Sequence, residues 1–196
     1  MEGTLDILHA ICTEKRGINC DVLEAVVVLA IEIAREGREG RRIGTLFVVG
    51  DIGEVMKHSR ELILDPLAGH PDSLKRVTSH DLRETVKELA QLDGAFIVSN
   101  EGVVVSACRF IDATAEGVCL PLGLGSRHMA AASITKFTRA VGVVVSESSI
   151  VRIFDDGELI SEILPELYIF SQHSLHLSGP YSESTQNQVR VVSKAE

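Results

Sequence analysis

Apolar positions recur along this chain with two alternating periods, and the period marks where helices give way to strands. Between Asp21 and Glu36, Val22, Val26, Leu29 and Ile33 fall on one helical face, with Asn19 or Cys20 near the N-cap position. A shorter stripe of Leu5, Leu8, His9 and Cys12 predicts an amphipathic helix within residues 4–16, ended by Gly17. Thr45 to Val49 is a continuous apolar run closed by Gly50-Asp51, the pattern of a strand buried on both faces. Ser79 or His80 opens the next helix, with Leu82, Val86, Leu89 and Ala90 on its inner face. Ala95–Ser99, the turn Asn100-Glu101-Gly102 and Val103–Ala107 predict a hairpin. Val141–Glu147 reads as another buried strand. Ile150–Phe154 and Leu159–Ile163 flank the turn Asp155-Asp156-Gly157-Glu158 and predict a second hairpin.

The segments between these elements are less regular. Pro66, Gly69 and Pro71 break up residues 52–79, which predicts loop with short helical turns, the first of them placed to be capped by Asp51. Asp112 to Pro121 reads as a loop. It leads to Leu122-Gly123-Leu124-Gly125-Ser126-Arg127-His128, after which Ala130, Ile134 and Phe137 predict a helix beginning near Ser126. From Ser182 onward the residues are mostly polar, leaving open a mobile tail or an edge strand through Val189–Val192. Helices and strands interleave without an internal repeat or a linker. The expectation is one α/β domain over residues 1–196, with a mixed central β-sheet flanked by helices.

Composition narrows the function classes. The 196 residues are 45% hydrophobic and 24% charged, as in an ordinary globular protein, and no apolar run reaches the length of a membrane span. A net charge of −9 disfavours nucleic-acid binding, which needs a basic footprint. A nucleotide remains compatible if local cations and a metal offset the charge. Cys12, Cys20, Cys108 and Cys119 are scattered without metal-finger spacing, so reduced thiols in a cytoplasmic protein are expected.

Three short stretches carry candidate chemistry. The glycine-rich loop ending at Gly125 feeds a helix N-terminus, where free N–H groups and the helix dipole suit a phosphate. Arg127 in that first turn adds a planar fork of donors, where an acidic residue would ordinarily be preferred. By itself, this stretch also reads as a Gly-x-Gly turn with a solvated arginine. Asp93, in Asp93-Gly94-Ala95, places a carboxylate at a helix-to-strand junction, where it can hold a divalent metal or orient a hydroxyl; Asp-Gly is also ordinary turn chemistry. Ser146 and Glu147 end a buried strand. His128 suits phosphate contact or a structural role, and His173 with His176 lack partners for a metal site. No nucleophile elbow, activated cysteine or P-loop lysine motif is present.

Taken in order, Asp93-Gly94-Ala95, Gly125-Ser126-Arg127-His128 and Val145-Ser146-Glu147 resemble the catalytic domain of the diadenylate cyclases, the DisA N-terminal or DAC family, over about Asp21 to Ile163. The chain is similar to soluble, free-standing, archaeal-type members. The resemblance implies joining of two ATP molecules into the second messenger cyclic di-AMP, with release of two pyrophosphates, by two chains meeting face to face across a two-fold axis. It implies a divalent metal (Mn²⁺, Mg²⁺ or Co²⁺) on Asp93 and Glu147, with Asp93 and Arg127 catalytic. It also implies a nucleotide site of Gly94, Ala95, Phe110, Gly125, Ser126, Arg127, His128 and Glu147, and neither a membrane nor a nucleic acid as partner. Three positions depart from the family pattern: Leu92, Met129 in place of a second arginine, and Ser148 in place of a second glutamate. Lys136, Arg109 or a partner-chain residue are the candidate substitutes for the missing cation. A module that binds ATP or cyclic di-AMP with weakened catalysis is the alternative reading.

Overall fold

A computed structural model describes residues 17–114, 117–118 and 120–165, together with the backbone of 181–186 and 189–194. The expected helix within 4–16 and the pair His173 and His176 lie outside these residues. The chain divides into two units, residues 1–166 and 167–196.

In the first unit, α1 (Cys20–Glu36) starts where Asn19 accepts hydrogen bonds from the amides of Asp21 (3.0 Å) and Val22 (3.5 Å), which supplies partners for two otherwise orphaned donors. Val22, Val26, Leu29 and Ile33 are all buried. After β1 (Thr45–Val49) come α2 (Ile52–Lys57), β2 (Ser59–Glu61) and α3 (His80–Leu89). Then follow β3 (Ala95–Val98), β4 (Val104–Ile111), α4 (Ser126–Phe137), β5 (Val141–Val145), β6 (Val151–Asp155) and β7 (Glu158–Ile163). The seven strands form one sheet in the order β2-β4-β3-β1-β5-β6-β7. Only the β1–β3 pair is parallel, so the sheet is mixed, as the interleaved pattern predicts.

The central strands are buried on both faces, which is why β1, β3 and β5 read as unbroken apolar runs. Because side chains alternate along a strand, Leu46 and Val48 of β1 share one face with Ala95, Ile97 and Val144. That face packs with Ala131, Ala132 and Ile134 of α4 and Val55 of α2 in one core. Phe47 points to the other face and stacks on Phe96, ring centroids 5.1 Å apart. The second unit contains an antiparallel ribbon of β8 (Tyr181–Gln186) and β9 (Val189–Lys194); the expected strand at 189–192 pairs there.

Four details differ from the sequence pattern. The irregular 52–79 segment contains a real strand, β2, paired with the far end of β4. β4 runs to Ile111 rather than stopping at Ala107, because extra residues bulge between its pairings with β3 and Cys108 adopts φ +56°. That breaks the alternation by which a strand is recognised. Asp51 stands at the N-cap of α2 but makes no side-chain cap bond; its Oδ2 accepts the Arg139 amide at 2.8 Å instead. Finally, Cys20 is disulfide-bonded, which departs from the expected reduced thiol, whereas Cys108 is free and buried.

Phe47 lies fully buried at the sheet centre against Phe96. Phe47→Ala is expected to cost about 3–5 kcal/mol, lost transfer energy plus an unfilled cavity. Chemical denaturation of the two proteins checks this.

Candidate nucleotide-binding site

Strand direction assembles the site. Leu46 of β1 pairs with Ala95 of β3 in parallel, and Thr45 pairs with Val145 of β5 antiparallel. The starts of β1 and β3 and the end of β5 therefore share one edge of the sheet. Asp93 sits two residues before Ala95, Gly44 one before Thr45, and Glu147 two after Val145. The backbones carrying the two carboxylates thus flank the middle strand, about 10 Å apart at normal strand spacing, and the side chains lean in over it. Arg127 spans that gap: its Nη2 donates to Asp93 Oδ1 at 3.1 Å, and its Nη1 donates to Glu147 Oε1 at 3.3 Å. It crosses directly over Gly44, where a Cβ would lie 2.8 Å from Nη1. A larger residue at position 44 would push the guanidinium away.

Backbone constraints hold Asp93 at this edge. Gly94 adopts φ +108°, and a Cβ there would come within 2.5 Å of the Cys108 carbonyl carbon. Only glycine lets the chain turn from Asp93 into β3 while β4 passes this close. The bulge at Cys108 also sets the next two side chains. Arg109 is buried and donates from Nε to Ser59 Oγ at 3.0 Å and from Nη2 to the Ser59 carbonyl at 2.8 Å. Phe110 stays partly exposed with the Arg60 guanidinium 4.4 Å from its ring centroid.

Arg127 is brought in by α4. Gly125 is the N-cap and has no side chain to cap with, and the first turn carries no acid. The His128 and Met129 amides donate to the Gly125 carbonyl, which leaves those of Ser126 and Arg127 to face an anion. Two cavities of about 430 Å³ each meet at Ser126 and Arg127. One is the more apolar, lined by Leu62, Gly94, Ala95, Phe110 and Met129 among others. The other is lined by the loop Gly123–Ser126, His128, Ser146, Glu147, Ser148 and Arg152. Every residue expected to bind the nucleotide lines one cavity or the other.

The ion pairs themselves add little stability. Asp93 and Glu147 are 79% and 73% exposed at the side chain, and exposed pairs contribute about 0–1 kcal/mol. Arg127 is held in place yet readily surrendered to a better anion. The carboxylates also suit a hard divalent cation. Each keeps one oxygen, Oδ2 and Oε2, without a partner among the described residues, and carboxylate oxygen is the donor such cations take. Among the described residues no group of three acidic, histidine or cysteine side chains forms a complete metal cage, so phosphate oxygens and water would complete the shell.

His128 is buried between the cavity and the sheet, edge-on to Phe154. Burial holds its pKa below the ordinary 6.5, and the Arg152 and Arg127 guanidiniums push the same way. Arg152 Nη1 lies 3.2 Å from His128 Nε2. Arginine can only donate, so Nε2 accepts and the neutral ring carries its proton on Nδ1. Of the proposed replacement cations, Lys136 pairs with Asp156 and lines neither cavity, and Arg109 belongs to the apolar one. Arg152, which the sequence pattern passed over, lines the more polar one. Its only sequence signal is a charged residue alternating with Val151 and Ile153 in a buried strand.

Residues 32–159 match the DAC family, described as DisA bacterial checkpoint controller nucleotide-binding. The chain belongs to this family. The matched segment falls inside the expected Asp21–Ile163. This DAC-family chain is 49% identical over 148 residues to a protein of Methanocaldococcus jannaschii named diadenylate cyclase, an alignment covering 75% of this chain and 47% of that one. It is 44% identical over 150 residues to a diadenylate cyclase of Haloferax volcanii, covering 75% and 54%. The chain therefore spans about half the length of these curated relatives. Among solved structures it is similar to DacA from Staphylococcus aureus, at 18% identity and TM-score 0.49 over 78% of this chain and 95% of that one. It is also similar to a hypothetical membrane spanning protein from Bacillus cereus, at 22% identity and TM-score 0.49 over 68% and 59%. No helix among the described residues is long and apolar enough to cross a membrane.

The folded state keeps His128 neutral, whereas an unfolded chain protonates it near pH 6.5. The unfolded state then binds more protons, so stability falls as pH drops through about 6.5. The His128 imidazole is expected to titrate below 6.5 by NMR. A midpoint at or above that value contradicts the assigned ring state.

Proposed function

We propose that this chain is a diadenylate cyclase, condensing two ATP molecules into cyclic di-AMP and two pyrophosphates. The observation that carries it is Arg127 lying between Asp93 and Glu147 at a helix N-terminus, exactly where a nucleoside-sized apolar cavity meets a polar one. The names of the archaeal relatives support the same reading.

In this reading adenine and ribose occupy the cavity of Leu62, Ala95, Phe110 and Met129, and the triphosphate runs past Ser126 and Arg127 onto the amides of the Gly123–Ser126 loop. The 3′-oxygen of one ATP attacks the α-phosphorus of the other, forming a P–O bond as the bond to pyrophosphate breaks. The reciprocal attack closes the ring. Arg127 leaves its carboxylates to neutralise charge growing on the α-phosphate, a preorganised contact that strengthens in the transition state. Asp93 accepts a hydrogen bond from the attacking hydroxyl and favours loss of its proton. Asp93 and Glu147 would hold a divalent metal (Mn²⁺, Mg²⁺ or Co²⁺), which supplies electrostatic stabilisation of the phosphate oxygens.

One chain offers room for one nucleotide, and its site opens at the sheet edge. Two chains must then face each other across a two-fold axis, so that each supplies half of the reacting pair. The −9 charge opposes that encounter until ATP and metal bridge it. We place this activity in the cytoplasm, where ATP is available.

Asp93→Asn is isosteric and lies at an exposed position, so the fold should persist while product formation falls by at least about 100-fold. Incubation with ATP and Mn²⁺, followed by chromatography, reads the result. Product at the parent rate from Asp93→Asn overturns the assignment. Binding of ATP by the parent chain without product identifies the nucleotide-binding module that Met129 and Ser148 suggest.

A further inference from the structure

We infer that Arg152 is the second phosphate-binding cation of this site, holding the β- and γ-phosphates that leave as pyrophosphate. The inference rests on the nucleotide reading above and adds a residue to it. Met129 directly follows His128 at the start of α4. Successive residues of a helix diverge by about 100°, so His128 and Met129 face different sides of Arg127. His128 lines the polar cavity and Met129 the apolar one. The thioether therefore packs beside the nucleoside, and the cation for the phosphate end has to come from another element.

Arg152 supplies it from the neighbouring strand. On β6 it shares a face with Phe154, the face covered by α4, and that places it beside His128. Its side chain is 11% exposed, and its fork is fixed at two nitrogens: Nε donates to Glu162 Oε1 at 2.5 Å, and Nη1 to His128 Nε2. Nη2 has no partner among the described residues. The guanidinium is thus oriented before a ligand arrives, with a donor left over at the wall of the cavity. Apart from Arg127, it is the one full cation lining that cavity among the described residues, since His128 is neutral. His128 also contributes: by accepting at Nε2 it holds the Arg152 guanidinium in line with the cavity.

Position along the site fixes which phosphates Arg152 meets. Ser126 and Arg127 are common to both cavities, so the α-phosphate sits there, next to the ribose and Asp93. Arg152 belongs only to the polar cavity, beyond that junction. It meets the leaving group rather than the reacting phosphorus, and balances the charge that pyrophosphate gains as the bond breaks. Glu162 tempers the site, keeping Arg152 aligned while reducing its pull on the product.

The test compares ATP with AMP, which share the nucleoside and α-phosphate but differ in the part Arg152 would hold. Binding is measured calorimetrically with the full chain and Mn²⁺. Arg152→Ala is expected to weaken ATP about tenfold or more and AMP less than about twofold, with Arg152→Lys falling in between. Glu162→Gln is expected to tighten ATP two- to fivefold or so and leave AMP unchanged, because it removes a competing anion. A purely structural role for Arg152 would shift melting temperature and both ligands together. Equal losses for ATP and AMP, or ATP binding unchanged, overturn the assignment while leaving the cyclase reading intact. If Arg152→Ala does not fold, Glu162→Gln decides, and an unchanged ATP-to-AMP affinity ratio there also overturns it. Failure of the unmodified chain to bind ATP at all removes both readings.

Discussion

Everything at this site depends on one guanidinium crossing one glycine. Asp93 and Glu147 flank strands that do not touch each other; β1 lies between them, and Gly44, the residue before it, leaves no Cβ in the path of Arg127. The mixed sheet makes the arrangement possible. Because β1 runs parallel to β3 and antiparallel to β5, the residue entering one strand and the residue leaving another arrive at the same edge. A wholly parallel or wholly antiparallel trio would have put one carboxylate at the opposite end. The helix that brings Arg127 is held by small residues, Ala131 and Ala132, against the sheet, so its N-terminus stays within reach of that edge.

The electrostatics suit binding more than stability. Arg127 is held by two exposed carboxylates whose pairing contributes little in water, and the amides at the start of α4 have no acidic or capping side chain to satisfy them. The charges that do carry structural weight lie elsewhere. On α1 and α3, Lys87 is nearly buried and pairs with Glu32, Glu36 and Glu84, tying the two helices together far from the cavities.

Part of the site was legible because one of its residues announces itself locally. An arginine in the first turn of a helix, where acids are favoured, is a departure from what structure alone prefers, whereas Asp-Gly before a strand is ordinary turn chemistry and stood out only in combination with it. Arg152 gives no such notice. On a strand that alternates buried and polar positions, a lone arginine looks like an outward-facing residue, and only packing against α4 turns its side toward the cavity. The same holds for Lys136, which lines neither cavity, and Arg109, which lines the more apolar one: proximity in sequence to the helix or the hairpin says nothing about which cavity a long side chain enters. β2 is three residues long, mostly polar, and sits in a segment broken by Pro66, Gly69 and Pro71. The far half of β4 was obscured by the bulge at Cys108, which breaks the period of two, and Asp51 was drawn away from its helix by an amide 88 residues along the chain.

The amino-acid order by itself determined most element types, the buried central strands and the mixed α/β class, which follow from local periodicity. The three residues that meet at the edge were joined only by the ordered resemblance to the DAC family, since each alone also reads as ordinary turn or strand-end chemistry. Tertiary structure alone decided that Arg127 lies between Asp93 and Glu147, that Met129 lines the more apolar cavity and that Arg152 lines the other. Such pairings join residues from separate strands and helices, and their distances depend on strand register and helix placement, which no local pattern encodes.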